Sequence, residues 1–294
     1  GDAITLQLRG QLVGGHVTGN NKGIGNEGRV DFFGQRIVID NVRDLVKIED
    51  VPMSQKRTNY DLLMQAKSAL VDKAKERLED AITTALTTVG TERVRGRTLY
   101  GAADSNWNAT HATGLTNVDN TADQLTTSMI SVAKRKANIP VNATARIRPM
   151  KIVNGKNAEE WYVFCAHTYS IRDLVDNDAK WQNAQLNLTP RDGSNPLFTG
   201  SWFKGSYNGV LIYEYERLPL ISSTIQVSHN LLLGAQAAAI VWGQRSKFGE
   251  EESDLGHDVS YEVHEIRNVA KLVFDRATTE DHGLVNVFAA AVAD

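Results

Sequence analysis

Residues 10–29 hold seven glycines and few aliphatic side chains, and a stretch of that composition cannot gather enough apolar surface to build a core with its own neighbours. On either side the pattern becomes that of strands. Ile4, Leu6 and Leu8 alternate with Thr5, Gln7 and Arg9, and Val30–Val46 is extended through Phe32-Phe33 and Ile37-Val38-Ile39. Strands joined by such a segment predict an arm or hairpin that projects from the body of the molecule. The first strand is already under way at Gly1-Asp2, which predicts a segment ahead of it.

From Ser54 to Val89 the period changes. Leu63, Ala66, Leu70, Ala74, Leu78, Ala81, Ile82, Ala85, Leu86 and Val89 fall at steps of three or four, predicting one long helix. Ser54 or Thr58 can cap its start and Gly90 stands where a terminating glycine belongs. Such a helix, roughly 45 to 55 Å long at 1.5 Å per residue, spans a domain as a spine. Its other face carries Lys67, Asp72, Lys73, Lys75, Glu76, Glu79 and Asp80, a row suited to solvent or to a subunit contact.

Residues 90–125 are polar and read as loops. Leu125–Asn138 predicts a helix stopped by Pro140, and Ala145–Val153 and Trp161–Ala166 predict strands about the turn Asn154-Gly155. Ser170–Leu188 predicts a second amphipathic helix, followed by a strand at Gly209–Tyr215 and an alanine-rich apolar segment at Leu231–Trp242. Terminal strands are expected at Asp258–Asp275 and Leu284–Val292. With no regular βα alternation, the fold class is α+β.

Composition narrows the function. A chain of 294 residues with 41% hydrophobic side chains can bury a substantial core as one elaborate domain or two ordinary ones. Its net charge of −3 gives no general attraction to nucleic acid or anionic membrane. No stretch approaches the roughly 20 apolar residues of a membrane span, so no membrane partner is expected. Cys165 is the only cysteine, which excludes an intrachain disulfide and a cysteine-rich zinc site. In the apolar run Trp161–Ala166 it reads as a buried hydrophobe, although His167 shares its strand face.

The motifs that could carry chemistry fail on context. Gly23-Ile24-Gly25-Asn26-Glu27-Gly28 matches G-x-G-x-x-G, but the pyrophosphate of a dinucleotide needs a strand before it and a helix after it. Here polar residues precede and an extended segment follows. Glu250-Glu251-Glu252-Ser253-Asp254 lacks the alternate spacing of a calcium loop and reads as a solvated or interface loop. Glu214 and Glu216 share a strand face and suit a cross-strand or intersubunit salt bridge better than a glycosidase pair. His16, His111, His167, His229, His257, His264 and His282 show no compact metal spacing. A nucleophile elbow is missing around Ser194 and Ser201. Lys134-Arg135-Lys136 could touch phosphates, or complement a helix C-terminus. No catalytic residue, cofactor or metal ligand is expected.

Several ordered segments resemble the major capsid proteins of tailed bacteriophages, in the family typified by the coat protein of phage N4. They are Gly1–Gly10, Gly25-Asn26-Glu27, Ile39–Arg43, Met53–Arg57, Trp181–Ala184, Asn195–Gly200, Tyr207–Ile212 and Leu232–Ala238. Phe164–Tyr169 is less like the family's usual His-Pro-Tyr stretch. The resemblance implies an HK97-like fold: an E-loop hairpin with adjoining strands over 1–53, a spine helix and part of the peripheral domain over 54–124, an axial domain over 125–255, and terminal strands of the peripheral domain over 256–294. It implies a non-enzymatic shell protein whose copies form hexamers and pentamers of an icosahedral head around double-stranded DNA, without reading its sequence. Portal, scaffolding and cement proteins are its expected companions. Its place is the virion, assembled in the host bacterial cytoplasm. Arg9, Arg29, Arg36 and Arg43 are then candidates for pairing with acids on adjacent subunits. An encapsulin-like compartment around a protein cargo is the alternative shell, and an enzyme using the 23–28 glycine loop or Glu214 and Glu216 the more distant one.

Overall fold

The computed structural model describes residues 2–88, 94–119, 122–139, 145–154, 157–186, 202–274 and 280–293. In chain order the strands are β1 (Ala3–Val13), β2 (Arg29–Val38), β3 (Asp40–Ile48), β4 (Thr98–Tyr100), β5 (Met150–Asn154), β6 (Asn157–Ala166) and β7 (Phe203–Tyr207). They continue as β8 (Val210–Glu214), β9 (Leu220–Ser222), β10 (Gln226–Leu233), β11 (Ala238–Ser253), β12 (Asp258–Lys271) and β13 (Leu284–Ala290). The α-helices are α1 (Val51–Lys56), α2 (Leu62–Thr87), α3 (His111–Thr116), α4 (Thr127–Asn138), α5 (Thr168–Asn177) and α6 (Ala179–Leu186). The chain divides into a smaller unit of residues 1–85 and 239–270 and a larger one of residues 86–238 and 271–294.

In the smaller unit β1 and β2 form a two-stranded sheet, and β11, β12 and β3 form a three-stranded sheet in that order. Alternation on β12 sets which face is covered. Val259, Tyr261, Val263, Glu265 and Arg267 are buried, and Leu63, Ala66, Leu70 and Ala74 of α2 pack with Val46 and the three apolar members of that row. Burying Leu70 alone stabilises this contact by about 1.5–3 kcal/mol. The same interface encloses charge: Arg77 of α2 pairs with Asp44 and, at 3.1 Å, with Glu265, while Arg267 holds Glu265 at 2.6 Å. Each buried acid thus has an arginine, which is the condition under which buried charge is tolerated.

The expected single helix from Ser54 is broken. The α1 helix ends at Lys56, and α2 begins at Leu62, so the spine is roughly 39 Å long at 1.5 Å per residue. Side chains divert the backbone between them. Thr58 donates to the carbonyls of Ser54 and Gln55, Gln55 bonds the carbonyl of Tyr60 and the amide of Leu62, and Asp61 accepts from the Met64 amide at 3.1 Å. Asp61, and not Ser54 or Thr58, caps the long helix. Gly90, Pro140 and the Gly155 half of the predicted turn lie outside the described residues.

The larger unit is built on an eight-stranded sheet of order β4-β13-β10-β6-β8-β7, with β5 on β6 and β9 on β10. The β13–β4 and β6–β8 pairs are parallel. Every residue of β13 is buried, as suits a strand covered on both faces. One face packs Leu125, Met129, Ile130 and Ala133 of the α4 segment, Leu174 of α5 and Trp181 of α6 against Phe164, Ile212, Leu232 and Val287. The other face packs Tyr100, Leu115 and Val118 against Val227 and Phe288.

Four expectations change here. Residues 90–125 are not all open loop: Thr98, Leu99 and Tyr100 form β4 and are almost fully buried, because β13 supplies their ladder. The one helix expected over Ser170–Leu188 is, in its described part, two helices separated at Asp178, whose carboxylate accepts from the amides of Lys180 at 2.8 Å and Trp181 at 3.3 Å and so starts α6. Leu231–Trp242 splits at Gly234 into the end of β10 and the start of β11. Residues 256–294, expected as terminal strands of one domain, divide between the two units: β12 joins the three-stranded sheet, and β13 lies between β4 and β10 in the larger one.

Candidate assembly surface

The hairpin places the arginines predicted from sequence. Its register runs from Ala3↔Val38 to Val13↔Arg29, with a bulge between Arg9 and Leu12. At roughly 3.3 Å per residue the paired strands extend about 35 Å. They approach so closely near the tip that a Cβ on Gly14 would lie 2.6 Å from the Gly28 Cα, which explains glycine there. Cross-strand partners share a face, so Leu12, Arg9 and Thr5 stand with Val30, Phe32, Arg36 and Val38. Arg9 and Arg36 are exposed and make no ion pair among the described residues. Phe32 is 72% exposed and Leu12 69%. The opposite face carries Ile4, Leu6, Leu8, Phe33 and Ile37.

The other two arginines differ. Arg29 bonds Asp31 at 2.7 Å, but both are well exposed, so the pair is weak and can exchange partners. Arg43 lies on β3, away from the hairpin, and pairs with Glu262 of β12; the guanidinium holds that carboxyl below the ordinary glutamate value. The structure therefore brings Arg9 and Arg36 onto one open face and leaves Arg43 in an intrachain contact. Phe32 and Leu12 do not stand out among the charged residues of the sequence. Apolar residues at both parities of β2 are the signal that would reveal them, since a strand hydrophobic on both faces needs cover on both.

The chemical candidates have structural occupations. The 23–28 loop connects two strands with no helix after it, and the Gly25 amide is already bonded to Glu27 at 2.8 Å. Glu214 pairs with Lys204 of β7 at 2.7 Å, the cross-strand bridge expected, while Glu216 lies beyond the strand. Glu250–Ser253 belong to β11 and are not a loop; Glu250 reaches Lys67 at 3.5 Å. Burial pushes the Cys165 thiol up to about 11, unsuited to a nucleophile. His167 caps α5 by accepting from the Tyr169 amide at 3.2 Å, and burial lowers its pKa. His111 meets the Tyr100 hydroxyl and His229 meets Asn286, each at 2.9 Å. In the basic cluster, Lys136 is buried on Asp104 and the Arg95 carbonyl, and Lys134 binds the Asn208 carbonyl. Ser194 lies outside the described residues, as does Ser201.

Comparison with known proteins agrees with this arrangement. The family model described as phage capsid protein matches residues 1–293. No curated protein matches the chain. Among solved structures, the cyanophage Pam1 capsid is 28% identical with a TM-score of 0.83, covering 100% of this chain and 86% of that one. The capsid of Ralstonia phage GP4 is 20% identical with a TM-score of 0.78, covering 100% and 84%. The SrpI encapsulin of Synechococcus elongatus, 13% identical with a TM-score of 0.50 over 90% and 78%, shares the fold alone. With a model that spans it from end to end, the chain belongs to the phage capsid protein family.

Proposed function

We propose that this protein is the major shell subunit of a phage head, and that its copies close into hexamers and pentamers of an icosahedral lattice around double-stranded DNA. The hairpin carries this reading. A lone two-stranded hairpin is marginal in water, and this one opens to solvent Phe32, Leu12 and two arginines that make no ion pair among the described residues. A surface of another copy gives such an arm the cover it lacks. Each contact is modest, and closure of the lattice makes their sum large. The role is structural, with no catalytic step. We assign the smaller unit, with the arm and α2, to the peripheral domain, and the larger unit to the axial domain. The net charge of −3 suits a container that does not grip the DNA it holds. Portal, scaffolding and cement proteins are its proposed neighbours in the virion, which is assembled in the bacterial cytoplasm.

The test is particle mass and shape, by light scattering and negative-stain microscopy of the full chain co-expressed with its neighbouring genes. Rings or icosahedral shells of megadalton size are expected, and replacing residues 15–27 by a short turn should leave folded subunits that no longer close. A discrete monomer or dimer under every condition would remove the shell reading. An encapsulin-like shell would reveal itself by protein cargo in place of nucleic acid.

A further inference from the structure

At the turn between β11 and β12, Asp254, Leu255 and Gly256 stand at φ of 50°, 56° and 87°. Two successive non-glycine residues in the left-handed region are unusual, and such conformations persist only where the surroundings impose them. Here they are imposed by a braced base: the His257 amide bonds the Asp254 carbonyl at 3.1 Å, the Val51 amide bonds the His257 carbonyl at 2.8 Å, and Asp258 accepts from the Asp50 amide at 3.1 Å and pairs with Lys47 at 2.8 Å. The product is a tip braced at its base that holds Leu255 completely in water, 103% exposed. Glu250, Glu251, Glu252 and Asp254 precede it in the chain and are exposed. Among these, Glu250 alone makes an ion pair within the described residues.

The complement of this tip lies in the same unit. Between α2 and β11 a groove of about 310 Å³ is walled by Val71, Leu78, Trp242 and Phe248, with Lys75 and Lys247 at its edges. Val71 is 43% exposed and Phe248 47%, so the groove has apolar walls without a cover. Its one acid, Glu265, is neutralised by Arg77 and Arg267. Among the described residues Lys75 pairs with one exposed neighbour, Asp72, at 3.1 Å, and Arg245 adds charge over Trp242 at 5.3 Å. An acidic tip with an apolar point therefore faces a basic-edged apolar groove in chemistry. It cannot reach its own groove: Leu255 lies beyond Phe248 on the same hairpin by roughly 20 Å of extended chain.

We propose that Leu255 of one copy seats in the α2–β11 groove of a second copy, with its flanking carboxylates against Lys75 and Lys247. The contact is heterologous, so its repetition forms a ring or lattice and not a closed pair, and bracing at the base of the tip lowers the ordering cost of meeting a partner. The inference rests on the self-assembly reading, and names one interface within it.

Shells assembled from full-length chains carrying Cys165→Ser, Lys75→Cys and Leu255→Cys, treated with a short bismaleimide, test the contact. A ladder of covalent multimers is expected from the paired variant and none from either cysteine alone. Independently, Leu255→Asp should weaken each contact roughly ten- to a hundredfold and lower shell yield, leaving the circular dichroism of the subunit unchanged. Cross-linking by Leu255→Cys alone would mean that tips meet one another, and linking of Phe32→Cys to Lys75→Cys would give the groove to the hairpin arm; either overturns the proposal. Normal yield and melting of Leu255→Asp shells, or shells without the expected ladder, would overturn this contact while leaving the shell reading intact. Failure of the parent chain to form any particle would remove the reading beneath it.

Discussion

Asp178 is the residue that ties the start of α4 to the start of α6. It accepts from the Thr127 amide at 2.6 Å and hydroxyl at 2.8 Å, and from the amides that open α6. Removing it strands those donors in a buried site, so Asp178→Ala should cost about 2–4 kcal/mol, measured by urea unfolding of the unassembled subunit. Burial pushes its carboxyl up, but the hydrogen bonds from Thr127, Lys180 and Trp181 outweigh that and hold it below the ordinary aspartate value. Its contribution is therefore complete above the unfolded pKa, near 4, and is lost as pH falls through the lower folded value. Asp178→Asn should flatten the acid limb of subunit stability relative to the parent. Cys165 offers a second measurement at this scale. With its thiol raised by burial to about 11, it should react with iodoacetamide at pH 8 at least about a hundredfold more slowly folded than in urea. Equal rates would place a reactive thiolate where the structure has a buried thiol.

At the scale of elements, what periodicity could carry was legible and what side-chain diversion decides was not. The hairpin strands, α2, α4, β8 and β12 all show in the apolar spacing because that spacing reports the face each one buries. The breaks at 57–61, at Asp178 and at Gly234 do not, since the apolar period runs on past each of them while a hydroxyl, carboxylate or close backbone approach turns the chain. The strand β4 is three residues long and owes its burial to β13, far away in sequence. The candidate arginines were legible as charges, but which of them stay open depended on the hairpin register and, for Arg43 on β3, on Glu262. Gly283 shows how a corner can fix an element: a Cβ there would lie 2.6–2.7 Å from the backbone of Ala235, Gln236 and Ala237. Backbone cannot swing aside, so Gly283→Ala should destabilise the larger unit by about 1–3 kcal/mol. Gly23→Ala, with nothing within 4 Å, should leave the melting temperature of the subunit where it was. Equal effects of the two would refute the assignment of strain to the corner.

For the whole molecule, the distinction that matters is between charge spent inside the chain and charge held for another copy. Arg77 and Arg267 are engaged with the buried Asp44 and Glu265, so reversing either should damage the subunit before it can affect a lattice, whereas Arg43 and Glu262 form a more exposed pair whose reversal costs the subunit little. Arg9 and Arg36 flank Phe32 on the open face of the hairpin, and reversing both should leave subunit unfolding unchanged. If that face meets acids of a neighbour, Arg9→Glu with Arg36→Glu lowers the melting temperature of assembled shells by several degrees or prevents closure. Salt supplies a control that packing alone cannot imitate. Exposed pairs are screened over about 8–10 Å at moderate ionic strength, so parent shells should soften as salt rises while shells of the double variant, having lost the attraction, respond less. Loss of closure in the double variant with unfolded subunits would instead make these arginines part of the fold. Parent and variant shells with the same melting temperature and the same salt response would leave the arm held by Phe32 and its apolar neighbours, and the arginines as solvating charges along its edge.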